Sequence, residues 1–310
     1  MMKRLICLTL LMLCGCSSDK APPRLFKFSF QPPDSASFVV ELSMTQMTSQ
    51  GDQKTNDSTW TLTYHLQNAA GEGYELTGRT DSLSVFHNGR PVYDPIIRLF
   101  AGGDITFVID STGMVRDVRG YEELMSRLDG LVGPDTAAAV RQMVNPETLK
   151  QQEIGTWNAK FGQFVGREMN LRQAYADTSY PVFPVEGRLA SYVISELVDT
   201  LTINGRLCGK LRVVSSTNPV ELARLSERTD SEINQLFGLA ADASAKAAQR
   251  QAGLTSQRDW VLEFETMLSH SESSREEAFY FELTSSGLPV RNDIVETQSK
   301  RFSYPGAATP

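Results

Sequence analysis

A metal centre or a nucleophilic site in this chain has to be built from three histidines, four cysteines and a plentiful set of carboxylates. Zinc-type sites need nitrogen or sulfur ligands at fixed spacing, and His65, His87 and His270 have no second His or Cys near them at such spacing. His65 falls on the polar side of a strand-like run, and His87 adjoins a turn. His270 sits among Ser269, Ser271 and Glu272 in a stretch that reads as a loop. Each reads as an exposed structural histidine. Glycoside-type hydrolysis needs two carboxyl groups converging across a cleft. The apparent pairs, Glu122-Glu123 and Glu276-Glu277, are sequence neighbours, whose side chains diverge on a helix and point to opposite faces on a strand. No Gly-x-Ser-x-Gly elbow is present, and no Ser-x-x-Lys with its partner motifs. Gly71-Glu72-Gly73 and Ala101-Gly102-Gly103 are turn glycines outside any Walker or dinucleotide pattern. The expectation is a protein that is not an enzyme and carries no metal or cofactor. Cys208, in the strand-like Arg206-Leu207-Cys208-Gly209-Lys210, reads as a small buried hydrophobe; a reactive thiol or an intermolecular bridge is the alternative.

The remaining cysteines point to a different chemistry. Lys3 and Arg4 precede an apolar run from Leu5 to Leu13, which suits a signal peptide and is too short for a spanning helix of about 20 residues. The run ends in Leu13-Cys14-Gly15-Cys16, which resembles the lipobox of bacterial lipoproteins. The resemblance implies cleavage between Gly15 and Cys16, a thioether-linked diacylglycerol on the Cys16 sulfur with palmitate-type acylation, and anchoring in a cell-envelope membrane. Ser17 in place of Asp after that cysteine resembles the signal for onward transport to the outer membrane of a Gram-negative cell. The alternative is an ordinary secretory signal. With Cys7 and Cys14 removed and Cys16 acylated, Cys208 is left alone and no intramolecular disulfide can form. The formal charge of −7 includes Lys3 and Arg4, so the processed chain stands at −9. That acidity argues against nucleic acid as a partner and against charge-driven membrane binding. Membrane contact is therefore expected through the lipid.

Behind the leader (1–15) and a tether (16–24) with two prolines, the chain turns β-rich. Phe38, Val40, Leu42 and Met44 alternate with Val39, Glu41, Ser43 and Thr45. Trp60, Leu62, Tyr64 and Leu66 alternate with Thr61, Thr63 and His65. The period of two predicts strands with one apolar face and one wet one; it returns in Trp260, Leu262, Phe264 and Leu268 and in Phe279, Phe281 and Leu283. Asn88-Gly89 and Asn204-Gly205 suit type I′ hairpin turns. With the paired turns at Asp110–Val115 and Thr284–Val290 they hint at two related β units, 25–118 and 154–310, as one domain or two. Between them, 119–153 reads as helical: Leu124, Leu128 and Leu131 form one stripe, Val140, Met143 and Val144 a second, and Asn145-Pro146 a cap with Pro at N1. A helical insert, 219–252, begins after Asn218 with Glu221 at the capping-box position and becomes alanine-rich from Ala240. The predicted class is α+β, built on antiparallel sheet with helices between and over it.

Trp60, Tyr64, Trp260, Phe264, Phe279 and Phe281 make broad apolar strand faces, which either form a core beneath the helices or line an apolar groove, with 219–252 as its lid. The junction Val115-Arg116-Asp117-Val118-Arg119-Gly120-Tyr121-Glu122-Glu123-Leu124, together with Gly113, the lipobox and the tether, resembles an uncharacterised family of β-rich bacterial envelope lipoproteins over residues 25–131. That resemblance implies a strand running through a glycine into an amphipathic helix and implies no activity. More loosely, the pattern and Gly287-Leu288-Pro289-Val290 are similar to lipoprotein carriers of the LolA/LolB kind, from which the length and the Ala-rich insert depart. The reading is a non-enzymatic envelope lipoprotein that binds an apolar ligand or an envelope partner protein; a structural or assembly scaffold is the rival, and a hydrolase a distant third.

Overall fold

A computed structural model describes residues 24–50, 52–69, 73–92, 99, 101–143, 145–179, 190–218, 221, 253–283 and 289–305. The leader with Gly15 and Cys16, the turn at 284–288, and the insert 219–252 apart from Glu221 lie outside the described residues.

Strands dominate. In chain order they are β1 (Leu25–Lys27), β2 (Ser35–Gln50), β3 (Asp52–Asn68), β4 (Tyr74–His87), β5 (Arg90–Pro91), β6 (Asp104–Ile109) and β7 (Val115–Arg119). Four helices follow: α1 (Tyr121–Ser126), α2 (Leu128–Leu131), α3 (Pro134–Met143) and α4 (Pro146–Trp157), the last running into a π-helical turn (Asn158–Gly162). Then come β8 (Glu168–Asn170), β9 (Ala174–Ser179), β10 (Ser191–Ile203), β11 (Arg206–Thr217), β12 (Gly253–Glu263), β13 (Ser269–Leu283) and β14 (Pro289–Ser303). Among the described residues, all but β1 and β8 join one 12-stranded sheet in the order β7-β6-β4-β3-β2-β14-β13-β12-β11-β10-β9, with β5 on β4. Its pairings are antiparallel. The early and late β-rich stretches share this sheet because β14 pairs with β2, Asp293 through Ser303 against Ser49 back to Val39.

Among the described residues, one face of the sheet is covered and the other bare. Along β10, Ser191, Val193, Ser195 and Leu197 are buried while Tyr192 and Ile194 are exposed, the side-to-side alternation of a half-buried strand. Two clusters fill the covered face. Phe38, Val40, Leu66, Leu76, Ile109 and Val118 pack under Leu124, Leu128 and Val140 of the helices. Phe26, Phe28, Phe161 and Phe164 pack with Leu197, Leu211, Trp260 and Leu262. Phe30 and Trp157 touch both clusters.

The local readings hold at several points. Asn88 and Gly89 have φ 49° and 74°, and Asn204 and Gly205 φ 51° and 80°, the left-handed values a type I′ turn requires. The Asn145 side chain accepts from the Glu147 amide, with Pro146 opening α4. Two readings need correction. The leucine stripe ends early: Leu124 and Leu128 are buried, but Leu131 is 40% exposed, because α1 stops at Ser126 and α2 restarts the phase at Leu128. His270 lies inside β13 rather than in a loop, and its ring is largely buried against Glu263.

Candidate functional site

Glu153, Thr156, Trp157 and Lys160 recur at i, i+3, i+4 and i+7, a spacing that puts side chains along one helical face. α4 and the π-helical turn carry them over the sheet. Two side chains next to each other dock this segment on edge strand β7 and on the turn that leads into it. Asn158 donates from Nδ2 to the Val115 carbonyl (3.1 Å) and accepts the Val115 amide on Oδ1 (2.9 Å). The Trp157 indole donates to the Gly113 carbonyl at 3.0 Å. Asn158 thus takes the backbone groups an edge strand would otherwise leave unpaired.

Beneath the docked segment lies a semi-enclosed cavity of about 270 Å³. Its floor is Phe38, Val40 and Leu42 of β2 with Leu62, Tyr64 and Leu66 of β3. Trp157 and Phe161 roof it, and Phe107, Phe302 and Met267 close its sides. Trp60, Leu62 and Tyr64 take the covered face as expected, and His65 is exposed, yet of that apolar row only Leu66 is fully buried. The other three stop at half burial, and Leu62 and Tyr64 face the cavity instead of solid core.

The cavity is polar at one end. The strand register lines up Trp60, Leu42, Lys300, Glu272 and Trp260 as direct neighbours across β3, β2, β14, β13 and β12, so a charged pair stands in an apolar row. Lys160 reaches down from the π-helical turn and donates to Glu272 Oε2 at 2.6 Å, and Lys300 Nζ stands 3.6 Å from the same oxygen. The Lys160 ammonium lies 4.9 Å from the Phe161 ring centroid and 5.2 Å from that of Trp260, within cation–π range. Burial alone would raise the Glu272 carboxyl, but Lys160 and Lys300 outweigh it and hold it down at about 2. Burial pulls the Lys160 ammonium down to about 8 even against the attraction of Glu272. Two cations share one carboxylate, and the charge of Lys300 lowers Lys160 further. On the helical side, Glu153 is pushed up by burial and accepts from the Tyr121 hydroxyl at 3.3 Å. Burial, with Glu153 and Glu272 nearby, pushes the Tyr64 phenol up to about 12.

A second buried carboxylate, Glu263, is structural. It accepts from Thr266 (2.6 Å), Arg206 (3.0 Å) and His270 (3.0 Å) and so pins the turn from β12 to β13. Cys208 is free and fully buried, and burial pushes its thiol up to about 11, which fits the packing role.

Of the six aromatic residues read as a possible groove, the structure brings only Tyr64 to the cavity wall. Trp60 lies farther along the same face of β3 beside Leu42. Trp260 and Phe264 are buried in the second cluster, and Trp260 meets the site through Lys160 and as the cross-strand neighbour of Glu272. Phe279 is on the opposite side of β13 from Glu272, an odd number of residues away in unbroken register, with the Arg291 guanidinium 4.5 Å over its ring. Phe281 stands opposite Arg291 in the β13–β14 register. Sequence reading passed over Trp157, Lys160, Phe161, Glu272 and Lys300. A trace was available: Lys300 falls in phase with Phe302, a charge at an inward position of an alternating strand.

Among the described residues no group of three or more His, Cys, Asp and Glu could hold a metal ion, and no helix is long and apolar enough to cross a membrane. No protein-family model and no curated protein matches the chain. Among solved structures, it is similar to one of lipid–protein interactions in lipovitellin, with a TM-score of 0.46 and 11% identity, covering 91% of this chain and 27% of that one. Pseudomonas aeruginosa OccK7 gives a TM-score of 0.19 at 7% identity, over 88% of this chain and 99% of that one. A loop-deleted OmpT, an outer membrane protein of Vibrio cholerae, gives 0.17 at 6% identity, over 87% and 100%. Likeness this distant assigns neither ligand nor activity.

Proposed function

We propose that this chain is a non-enzymatic envelope lipoprotein, anchored by lipid on Cys16, that holds an apolar ligand in the cavity beneath α4. The cavity itself carries the reading. Protein interiors rarely leave voids larger than a water molecule, and this chamber, apolar and semi-enclosed, leaves about 270 Å³ unfilled. Its mostly apolar lining with a few convergent polar groups matches the usual composition of small-molecule sites, with a volume just below their range of about 300–1,000 Å³.

Purified, untagged protein is expected to carry a lipid detectable by native mass spectrometry after extraction, and the delipidated protein to bind a dansyl-labelled fatty acid. Leu62→Trp, which fills the cavity from β3, is expected to weaken that probe by about tenfold or more, a loss of at least ~1.4 kcal/mol, with its circular dichroism unchanged. A wild-type protein that takes up no acyl probe, or a folded Leu62→Trp that binds it equally well, sinks the reading. For the anchor, Cys16→Ala is expected to remove the acyl mass and to leave an unprocessed or soluble protein. Normally processed Cys16→Ala protein in the membrane fraction would contradict it.

The rival, a scaffold that docks a partner protein, is favoured by one observation. On the bare face of the sheet Tyr192 is 63% exposed, with Ile194 and its register partner Val214 also exposed. Loss of a co-purifying envelope protein from a Tyr192→Ser, Ile194→Ser variant, with no acyl binding by the wild type, would place that reading first.

A further inference from the structure

At the polar end of the cavity two ammonium groups meet at one carboxylate oxygen. Lys160 and Lys300 both line the cavity and both converge on the single oxygen Glu272 Oε2. Lys160 makes the hydrogen bond at 2.6 Å. At 3.6 Å Lys300 is beyond hydrogen-bond length, so its ammonium meets Glu272 by charge alone and has donors to give. The other carboxylate on the wall, Glu153, is held by a donor of its own, the Tyr121 hydroxyl at 3.3 Å. Lys300 is therefore the group at the end of this apolar chamber whose donors Glu272 does not take up.

We infer that the ligand is a single-chain amphiphile with a monoanionic carboxylate head, held by Lys300 and Lys160 beside Glu272, with its hydrocarbon tail along Leu42, Leu62 and Phe38; this rests on the reading of the cavity as an apolar-ligand site. The carboxylate accepts the ammonium donors of Lys300 in a charge-assisted hydrogen bond. A fatty alcohol offers Lys300 only a neutral acceptor. A phosphate monoester, at about −1.5 to −2 near neutral pH, is the more strongly repelled by the Glu272 carboxylate beside it. The small volume suits one acyl chain.

The test displaces a dansyl-labelled fatty acid from delipidated full-length protein at pH 7 with three competitors of equal chain length: a fatty acid, a fatty alcohol and an alkyl phosphate. The acid is expected to compete at least about tenfold better than the alcohol, the strength of one charge-assisted hydrogen bond, and better than the phosphate. Lys300→Met is expected to abolish that preference while the alcohol binds as before; Lys300→Gln serves if the first variant does not fold. The wild-type ratio decides by itself if neither folds. Equal displacement by acid and alcohol, a preference that survives in folded Lys300→Met, or an alkyl phosphate better than the acid overturns the inference and leaves the apolar site standing. Failure of the probe and all three competitors to bind overturns the site and the inference together.

Discussion

Replacing Glu272 with alanine is expected to destabilise the delipidated protein by about 3–5 kcal/mol, the usual cost of leaving a buried charge without its partner. Lys160 and Lys300 both depend on that carboxylate, and Glu272 is buried between them. A double variant, Glu272→Leu with Lys160→Met, removes a charge of each sign and is expected to recover much of the loss. The pH dependence of the wild type follows from the same pair. Glu272 is held at about 2 against an ordinary 4.5. Its contribution is fully present above pH 4.5 and is lost as the pH falls from there towards 2, about 3 kcal/mol in all. Lys160 works in the opposite range. With its ammonium at about 8 instead of 10.5, the unfolded chain binds more protons between those values, so stability rises with pH across that window. Urea midpoints measured across both windows check this. A Glu272→Ala loss below about 1 kcal/mol, the level of an exposed ion pair, would show that the pair is solvated.

The second large effect is expected at Trp260. It is 2% exposed, packs edge-on to Phe164 with ring centroids 5.8 Å apart, and carries the Lys160 ammonium over its face. Trp260→Ala removes the largest fully buried side chain of the second cluster and is expected to cost about 3–5 kcal/mol. Trp60, its counterpart at the other end of the same cross-strand row, is only half-buried. Its replacement by alanine is expected to cost clearly less, because part of that side chain already faces solvent. Chemical denaturation of the two variants side by side settles the comparison. Equal losses would mean that the two ends of the row are packed alike, against the burial seen here.

What the residue order determines by itself is local. Alternation through Phe38, Val40 and Leu42 and through Trp60, Leu62, Tyr64 and Leu66 is enough for strands, because successive side chains on extended backbone point opposite ways. Asn88-Gly89 and Asn204-Gly205 are enough for tight hairpins, because both positions of a type I′ turn need φ above zero. Asn145-Pro146 is enough for a helix start, since the proline gives up an amide that has no partner there. None of these signals says which strands meet. A period of two places a residue on one side of its own strand, but whether that side is the covered one depends on register with a distant neighbour. So Trp260, Phe279 and Tyr64, alike as apolar positions on alternating strands, end up in a core, on the bare face and on a cavity wall. The pairing of β14 with β2, near opposite ends of the chain, makes one sheet of the two β-rich stretches and brings Lys300 beside Leu42. The contact of Lys160 with Glu272 spans 112 residues. Two lysines and a glutamate so far apart read as solvated charges in the sequence; they become a site only because the docking of Asn158 on β7 and the β13–β14 register bury them at the same end of one cavity.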